Sequence, residues 1–284
     1  MYSLAAYGKM VADTIRSDSY AQALAHDIKP GDVVAEIGTG PGIFALIACR
    51  LGARRVYAFE PAGVIEVARE IAAANGFADR IEFIPKTSTE SSWPERVNVL
   101  VSDVRGTLPF FAHGLSSIID ARDRFLSPSG RIIPRQDSVW LAGVQAADVY
   151  RGHLGCWAGQ AIRSRHVGCA PAADQLCQRM LGHRRSALSR TRCLATLDYM
   201  TLKHTDLDAT VSWTVDYTSQ GHGIVLWFDS VLAEDIALTN RPGAPRLIYR
   251  QSFLPWPSPL DLCSGDTVTV TVGALQNQRP LERC

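Results

Sequence analysis

The sequence lacks a charge excess, a paired-cysteine motif and a long apolar run. Its 29 basic and 28 acidic residues give a net charge of +1, so no basic surface predicts a nucleic-acid partner. The 7 cysteines form no CxxC pair, and an odd number disfavours a full disulfide framework, so we expect free thiols and no metal. Without a signal-like or membrane-spanning segment, we expect no membrane contact and a cytoplasmic location.

The first half of the chain alternates short apolar runs with helical stretches. The runs are rich in Val and Ile and several end near glycine, which is typical of buried parallel strands. Repeated strand–helix units predict a doubly wound parallel sheet with its ligand beyond the carboxyl ends of the strands. The predicted strands are residues 32–38, 54–60, 80–85, 97–103 and the segment from 131.

After about Pro134 the pattern changes to alternating β-branched and aromatic residues between turn residues. This pattern predicts an antiparallel β-sandwich or barrel. We therefore expect two domains, residues 1–134 and 135–284, with a partly helical segment at about 151–190. The strands predicted in the second domain are 195–202, 209–218, 223–233, 247–254 and 266–275.

A glycine-rich loop, EIGTGPG (Glu36–Gly42), follows the first predicted strand. Its GxGxG spacing differs from the GxGxxG of dinucleotide binders, so a pyrophosphate is not the expected ligand. Glu60 ends the next predicted strand, where a carboxylate can accept both hydroxyls of a ribose. A tight turn with a solvated acid is the simpler alternative, but the two features together favour a nucleoside cofactor.

Several segments resemble a known family. EIGTGPGIFALIACRLGARRVYAFE, AREIAAANG and IEFIPK resemble the cofactor-binding half of class I S-adenosylmethionine-dependent methyltransferases. MVADTIRSDSYAQAL, ARDRFLSPSGRIIP, GIVLWFDSVLA and YRQSFLPWPSPLDLCSGD resemble the protein arginine methyltransferases almost from end to end. The resemblance implies an α/β + β architecture, a Rossmann-like domain followed by an antiparallel β-barrel. It also implies S-adenosylmethionine as cofactor, S-adenosylhomocysteine as product, and a homodimer built by a helical arm at about 151–190.

The resemblance also implies a set of cofactor-binding residues. Glu60 would hold the ribose, and Arg16 would pair with the cofactor's carboxylate as a bidentate fork. Without the resemblance, Arg16 would be interpreted as a surface arginine on an amphipathic helix. Core packing is the alternative for Tyr7, implied to close over the pocket, and for Met10, implied to lie near the sulfonium. The other implied residues are Glu36 supporting the loop, Gly38, Gly40, Gly42, Ile43 and Pro61 lining the cofactor, Thr87 and Ser88 beside the adenine, and Asp103.

The loop SDVRGTLPFFAHGL (Ser102–Leu115) departs from the family's SExxGxxLxxExML, in which two glutamates hold a guanidinium. Here those positions are Asp103 and Ala112, and the family's THW segment has become Leu247–Tyr249. A clamp that loses charge-assisted hydrogen bonds of about 1.5–3 kcal/mol each should bind arginine poorly. We therefore expect methyl transfer to N or O of a small molecule or peptide, and not to protein arginine. The alternative is a protein arginine N-methyltransferase with an altered acidic clamp.

Four residues are candidates for the chemistry. Asp103 is the first candidate general base and His113 the second, since histidine titrates near neutral pH. A capping acid and a solvent-facing histidine are the alternatives. Arg105 and Tyr249 are candidate substrate residues; Arg105 would receive a carboxylate or phosphate, or else be a solvated surface arginine. A non-enzymatic cofactor-binding protein is a third possibility for function, disfavoured by the retained glycine loop.

Overall fold

A computed structural model describes residues 2–93, 95–110, 114–158, 187, 188 and 190–274 of the chain. A five-stranded parallel sheet in the order β3-β2-β1-β4-β5 forms the first half, and helices lie between its strands. The predicted doubly wound sheet is confirmed. The elements are α1 (Leu4–Val11), α2 (Thr14–Asp27), β1 (Val33–Ile37), α3 (Ile43–Arg50), β2 (Arg55–Phe59), α4 (Val64–Ala74), β3 (Ile81–Ile84), β4 (Val97–Ser102), α5 (Gly114–Phe125) and β5 (Leu126–Ile133).

The sheet is buried on both faces. Successive side chains along its strands point to opposite faces, and each face packs in its own hydrophobic cluster. In β1, Val34 packs with side chains of α2, α3 and α4 on one face. Val33 and Ala35 point the other way and pack with side chains of α5. All five residues of β1 are buried, which explains why the sequence shows an uninterrupted apolar run there. Because β1 is parallel to both β2 and β4, the carboxyl ends of these three strands lie at one edge of the sheet.

The second half is antiparallel, as expected. One sheet has the order β10-β9-β6-β7 with β11 paired to β9, and β12 pairs with β8. Closure into a barrel and the domain boundary at residue 134 stay predictions. Of the predicted arm at about 151–190, only residues 151–158, 187, 188 and 190 are described. The elements are β6 (Gln136–Val144), α6 (Ala147–Ala158), β7 (Arg192–Asp198), β8 (Leu207–Thr214), β9 (Ser219–Ala233), β10 (Ile236–Thr239), β11 (Ser252–Leu262) and β12 (Thr267–Ala274).

Three local differences separate the structure from the sequence-based prediction. Strand β5 begins at Leu126, although only the segment from Arg131 was expected, and β6 and β10 were not predicted. Residues 247–251 were expected in a strand but are irregular. The backbone N–H of Ile248 donates instead to Asp13 Oδ2 at 2.6 Å, a bond that takes this segment toward α2.

The described residues contain no helix that is both long and apolar enough to cross a bilayer.

Glu36 is a buried acid within β1, the strand that leads into the glycine loop, and only 3% of its surface is exposed. Its Oε2 accepts a hydrogen bond of 2.6 Å from the Thr39 hydroxyl. Burial raises the pKa of Glu36 to about 8, because it outweighs the opposing hydrogen bonds from Thr39 and the Ala45 amide. Near neutral pH the carboxyl is therefore largely protonated, and it supports the loop as a neutral group.

This raised pKa makes stability depend on pH. The folded state keeps the Glu36 proton between about pH 4.5 and 8, whereas the unfolded state loses it. We therefore expect the free energy of unfolding to fall as pH rises through this window, by at most about 1.4 kcal/mol per pH unit. In Glu36→Gln, which mimics the neutral acid, this component should be absent.

Denaturant unfolding at about pH 5.5 and about pH 7.5 measures the effect, since the slope of stability with pH follows the difference in bound protons. The exposed Glu66→Gln, in the first turn of α4, is the matched control and should follow the wild type. Equal pH dependence in the wild type and Glu36→Gln would show that Glu36 does not titrate in this way.

Candidate active site

The glycine loop leaves β1 at the carboxyl edge of the sheet. Gly38, Gly40 and Gly42 have φ values of 75°, 53° and 81°, which non-glycine residues rarely adopt. A Cβ on Gly40 would lie 2.8 Å from Cε1 of Tyr7, whose ring packs on the loop. Burial, followed by the charge of Glu60, raises the pKa of Tyr7 to about 12. The structure thus brings Tyr7 onto the loop as a neutral phenol.

Glu60 directly follows β2 and points back to the glycine loop. Its Oε2 accepts from the Gly40 N–H at 3.0 Å, and its Oε1 accepts from the Ala62 N–H at 2.9 Å. A carboxylate offers about four acceptor positions, so two remain for other donors. The structure therefore brings Glu60, Pro61 and the loop with Ile43 to one edge, while binding of a ribose stays a prediction.

Thr87 and Ser88 follow β3 at the same edge. Thr87 Oγ1 donates to Glu90 at 2.9 Å, and the buried Ser88 hydroxyl donates to the Ser117 carbonyl at 3.0 Å. Both side chains are thus held by protein contacts around a short turn at Ser88–Glu90. Their predicted position beside an adenine stays a prediction.

Asp103 follows β4 and forms the centre of a buried network. Its Oδ2 accepts from Arg16 Nε at 2.6 Å and from the Tyr249 hydroxyl at 2.5 Å. Its Oδ1 accepts from the Tyr20 hydroxyl at 3.0 Å and lies 3.1 Å from Arg105 Nε. With a side chain only 6% exposed, the carboxylate is oriented by four partners, of which Arg105 is a neighbour in the chain and Arg16, Tyr20 and Tyr249 come from distant segments.

Arg16 lies in the first turn of α2, where Asp13 caps the helix by accepting from its N–H at 3.2 Å. Its side chain is 11% exposed, so the alternative of a surface arginine is wrong. The guanidinium packs over Phe44, 5.1 Å from the ring centroid, and donates to the Met10 carbonyl at 3.3 Å. Burial opposes its charge, but Asp103 and the neighbouring tyrosines raise its pKa above the usual value. Pairing with a cofactor carboxylate stays a prediction; here the fork faces Asp103.

Arg105 is buried, so the alternative of a solvated surface arginine is also wrong. Its Nη1 contacts Asp137 Oδ1 at 3.1 Å and its Nη2 donates to the Tyr20 hydroxyl at 3.1 Å. The guanidinium carbon lies 4.9 Å from the centroid of the Phe228 ring. Arg105 is surrounded by protein groups, and its contacts do not indicate that it binds a substrate carboxylate or phosphate. That role stays a prediction.

Tyr20, Asp137 and Tyr199 belong to the network but were missed by sequence reasoning. The Tyr199 hydroxyl donates to Asp137 Oδ2 at 2.6 Å, and Asp137 is fully buried. Tyr20 lies four residues after Arg16 and so shares its helix face, a signal that could have found it. Asp137 lies inside β6, a strand that was itself not predicted.

The last predicted features are the substrate residue Tyr249, the second candidate base His113 and the expected lack of a metal. Tyr249 donates a hydrogen bond to Asp103, and its predicted contact with a substrate stays a prediction. Ala112 and His113 lie outside the described residues, so the second candidate base has no structural account. Within the described part of the chain, no cluster of three or more His, Cys, Asp or Glu residues could hold a metal ion.

Arg16, Tyr249, Tyr20 and Arg105 already fill the roughly four acceptor positions of Asp103, so a further cation or hydroxyl donor can bind this carboxylate only in exchange for one of them. A buried carboxylate favours positive charge or a proton donor in front of it. Group transfer between a ligand on the glycine loop and an acceptor at Asp103 stays a prediction.

Several known proteins are similar to this chain in sequence. A family model described as ribosomal protein L11 methyltransferase (PrmA) matches residues 19–134. The chain is 27% identical to a probable histone-arginine methyltransferase 1.3 of Arabidopsis thaliana, over 92% of this chain and 52% of that protein. It is 26% identical to protein arginine N-methyltransferase 1 of Saccharomyces cerevisiae, over 92% and 77%. A 38% match to rice PRMT10 covers 49% of this chain and 37% of that protein. The chain thus spans about half or less of the first two curated relatives, the Arabidopsis and rice proteins.

Solved structures agree on the fold. The Arabidopsis thaliana protein arginine methyltransferase 10, in an open conformation, superposes with a TM-score of 0.77 at 23% identity, covering 95% of this chain and 87% of that one. The Trypanosoma brucei PRMT1 enzyme-prozyme complex with AdoHcy gives a TM-score of 0.76 at 23% identity, covering 93% and 85%.

These findings correct one sequence-based expectation. An acceptor that is a small molecule or peptide rather than protein arginine was inferred from the missing second acid. That inference is wrong, because the matching relatives are named protein arginine or histone-arginine methyltransferases. A single altered loop does not outweigh similarity that extends over nearly the whole chain. By fold and sequence similarity, the chain resembles the class I S-adenosylmethionine-dependent methyltransferases and, among them, the protein arginine methyltransferases.

Proposed function

We propose that the chain transfers methyl groups from S-adenosylmethionine to the guanidinium nitrogens of protein arginine, using an altered acidic clamp. The observation that carries this proposal is the buried, oriented carboxylate of Asp103 at the carboxyl end of β4, beside the glycine loop. An acid in that place can attract and orient a guanidinium next to a bound cofactor. The names of the relatives support arginine as the acceptor.

The residues of the glycine loop fit the cofactor. Gly40 has no side chain to fill the space below Tyr7, and its N–H is held by Glu60. The free acceptor positions of Glu60 suit two ribose hydroxyls. When bound, S-adenosylmethionine supplies a methyl group on a positively charged sulfur, and loss of this group leaves S-adenosylhomocysteine.

Arg16 is the residue that suits the cofactor's carboxylate. Its guanidinium is charged, and its Nε and Nη2 both contact the same oxygen of Asp103, at 2.6 and 2.5 Å. If Arg16 turns to a second carboxylate, Oδ2 of Asp103 loses its strongest donor and becomes available to an acceptor. Cofactor and acceptor binding would then be coupled through this one arginine.

Asp103 performs the acceptor chemistry in this proposal. Its Oδ2 would accept an N–H of the arginine, which fixes the neighbouring nitrogen for in-line attack on the methyl carbon. The new N–C bond forms as the S–C bond breaks, and the nitrogen loses one proton, for which Asp103 is the acceptor within reach. The homodimer and the cytoplasmic location predicted from the sequence stay predictions.

The cofactor site can be tested with Gly40→Ala. The added Cβ would meet the Tyr7 ring at 2.8 Å, and φ of 53° is unfavourable for alanine. We expect calorimetric affinity for S-adenosylhomocysteine to fall at least about tenfold, since 1.4 kcal/mol corresponds to a factor of ten. Gly63→Ala is the matched control, because nothing lies within 4 Å of its Cβ position. Equal affinity in both variants would argue against a ligand on this loop.

The acceptor can be tested with labelled S-adenosylmethionine and a glycine-arginine-rich peptide. The wild type should place label on arginine. Asp103→Asn should lose at least about 100-fold in rate, since a positioned general base contributes about 10²–10⁴-fold. The exposed Asp18→Asn on α2 serves as control and should retain the wild-type rate. Binding of S-adenosylhomocysteine without any label on arginine would refute the proposed acceptor.

A further inference from the structure

Arg105 is a buried guanidinium that the proposed chemistry does not use. Its side chain is 3% exposed, and its three nitrogens contact Asp103, Asp137 and Tyr20, each at 3.1 Å. The Phe228 ring, 4.9 Å away, covers one face. The guanidinium is therefore fixed in place on the Oδ1 side of Asp103.

The charge of Arg105 is permanent. Burial opposes that charge, but Asp137, Tyr20 and Asp103 together raise its pKa well above the ordinary value. Asp137 is itself fully buried and accepts from Tyr199 at 2.6 Å, so it stays committed to this pair. Two arginines thus balance two aspartates in the network before any ligand binds.

We propose that Arg105 is a specificity-determining residue that weakens the binding of arginine acceptors, because its guanidinium already occupies Asp103 through Oδ1. The inference rests on the proposed function. A substrate guanidinium binds a free carboxylate best with two parallel N–H bonds, one to each oxygen. With Oδ1 engaged, the acceptor reaches only Oδ2, and it meets a carboxylate whose charge is already shared.

The double variant Arg105→Met/Asp137→Asn removes the resident cation together with its buried counterion. Asp103 then keeps Tyr20 on Oδ1 and Tyr249 on Oδ2, and each oxygen has a position open to the acceptor once Arg16 faces the cofactor. We expect the dissociation constant of a glycine-arginine-rich peptide, measured by calorimetry on protein saturated with S-adenosylhomocysteine, to fall about tenfold. The affinity for S-adenosylhomocysteine itself should change by less than about threefold.

Asp137→Asn alone provides the opposite prediction. Arg105 keeps its charge but loses its second acid, so it must pair more fully with Asp103. The same peptide should then bind several-fold more weakly. A role limited to bracing the fold does not predict shifts of opposite sign in the two variants.

Arg131→Met/Asp32→Asn is the matched control. It removes a partly buried ion pair of 2.7 Å, formed by β5 and the residue preceding β1, away from the carboxyl edge of the sheet. Its peptide affinity should equal that of the wild type.

The outcomes separate this inference from the proposed function. Labelled arginine in the wild type, together with an unchanged or raised dissociation constant of the peptide in the double variant, would overturn the role of Arg105 and leave the proposed function intact. No labelled arginine in any variant, with S-adenosylhomocysteine still bound, would overturn both. If the double variant does not fold, the test rests on Asp137→Asn. Peptide binding by Asp137→Asn that is unchanged or tighter than in the wild type would contradict the inference.

Discussion

Burying the charge of Asp103 requires partners from several distant segments, and this requirement fixes how the site is assembled. Helix α2 contributes Arg16 and Tyr20, the irregular segment before β11 contributes Tyr249, and Arg105 comes from the loop of Asp103 itself. An unpaired buried carboxylate costs several kcal/mol, so each partner must lie in its place when the chain is folded. The parallel and antiparallel halves therefore both contribute partners to this acid.

The three acids around the glycine loop are distinguished by their surroundings. Glu36 forms no ion pair with any residue that the structure describes and is kept largely protonated by burial. Glu60 accepts only backbone N–H groups and retains acceptor capacity. Asp103 alone is paired with guanidinium groups. The same chemical group, a carboxyl, thus supports a loop at Glu36, can accept from hydroxyls at Glu60, and attracts cations at Asp103. The difference follows from the donors that the fold places around each group.

Much of the fold could be predicted from the sequence because buried parallel strands leave a clear local pattern. The runs at Val33–Ile37 and Val97–Ser102 are apolar since both faces are covered by helices. The irregular conformation of residues 247–251 could not be predicted in this way. Their β-branched and aromatic residues favour a strand, but the bond from Ile248 to Asp13 joins positions 235 residues apart.

The site was only partly predictable for the same reason. Glu60 and the glycine loop follow a local spacing, so their meeting could be expected. The burial of Arg105 could not, because its counterion Asp137 lies in a strand on the far side of the domain boundary that the sequence suggests. A charged residue in a loop is exposed by default, and only a long-range partner overrides that default.

Charge balance gives the altered clamp a physical logic under the proposed function. Arg16 and Arg105 together neutralise Asp103 and Asp137, so the site offers little attraction to a guanidinium while Arg16 faces Asp103. A carboxylate that draws Arg16 away restores one negative charge at Oδ2, which one arginine acceptor would neutralise. Two glutamates would provide that charge whether or not the cofactor is bound. With Asp103 as the acid and Ala112 in the second position, attraction for the acceptor depends on the cofactor, because both act through the same arginine.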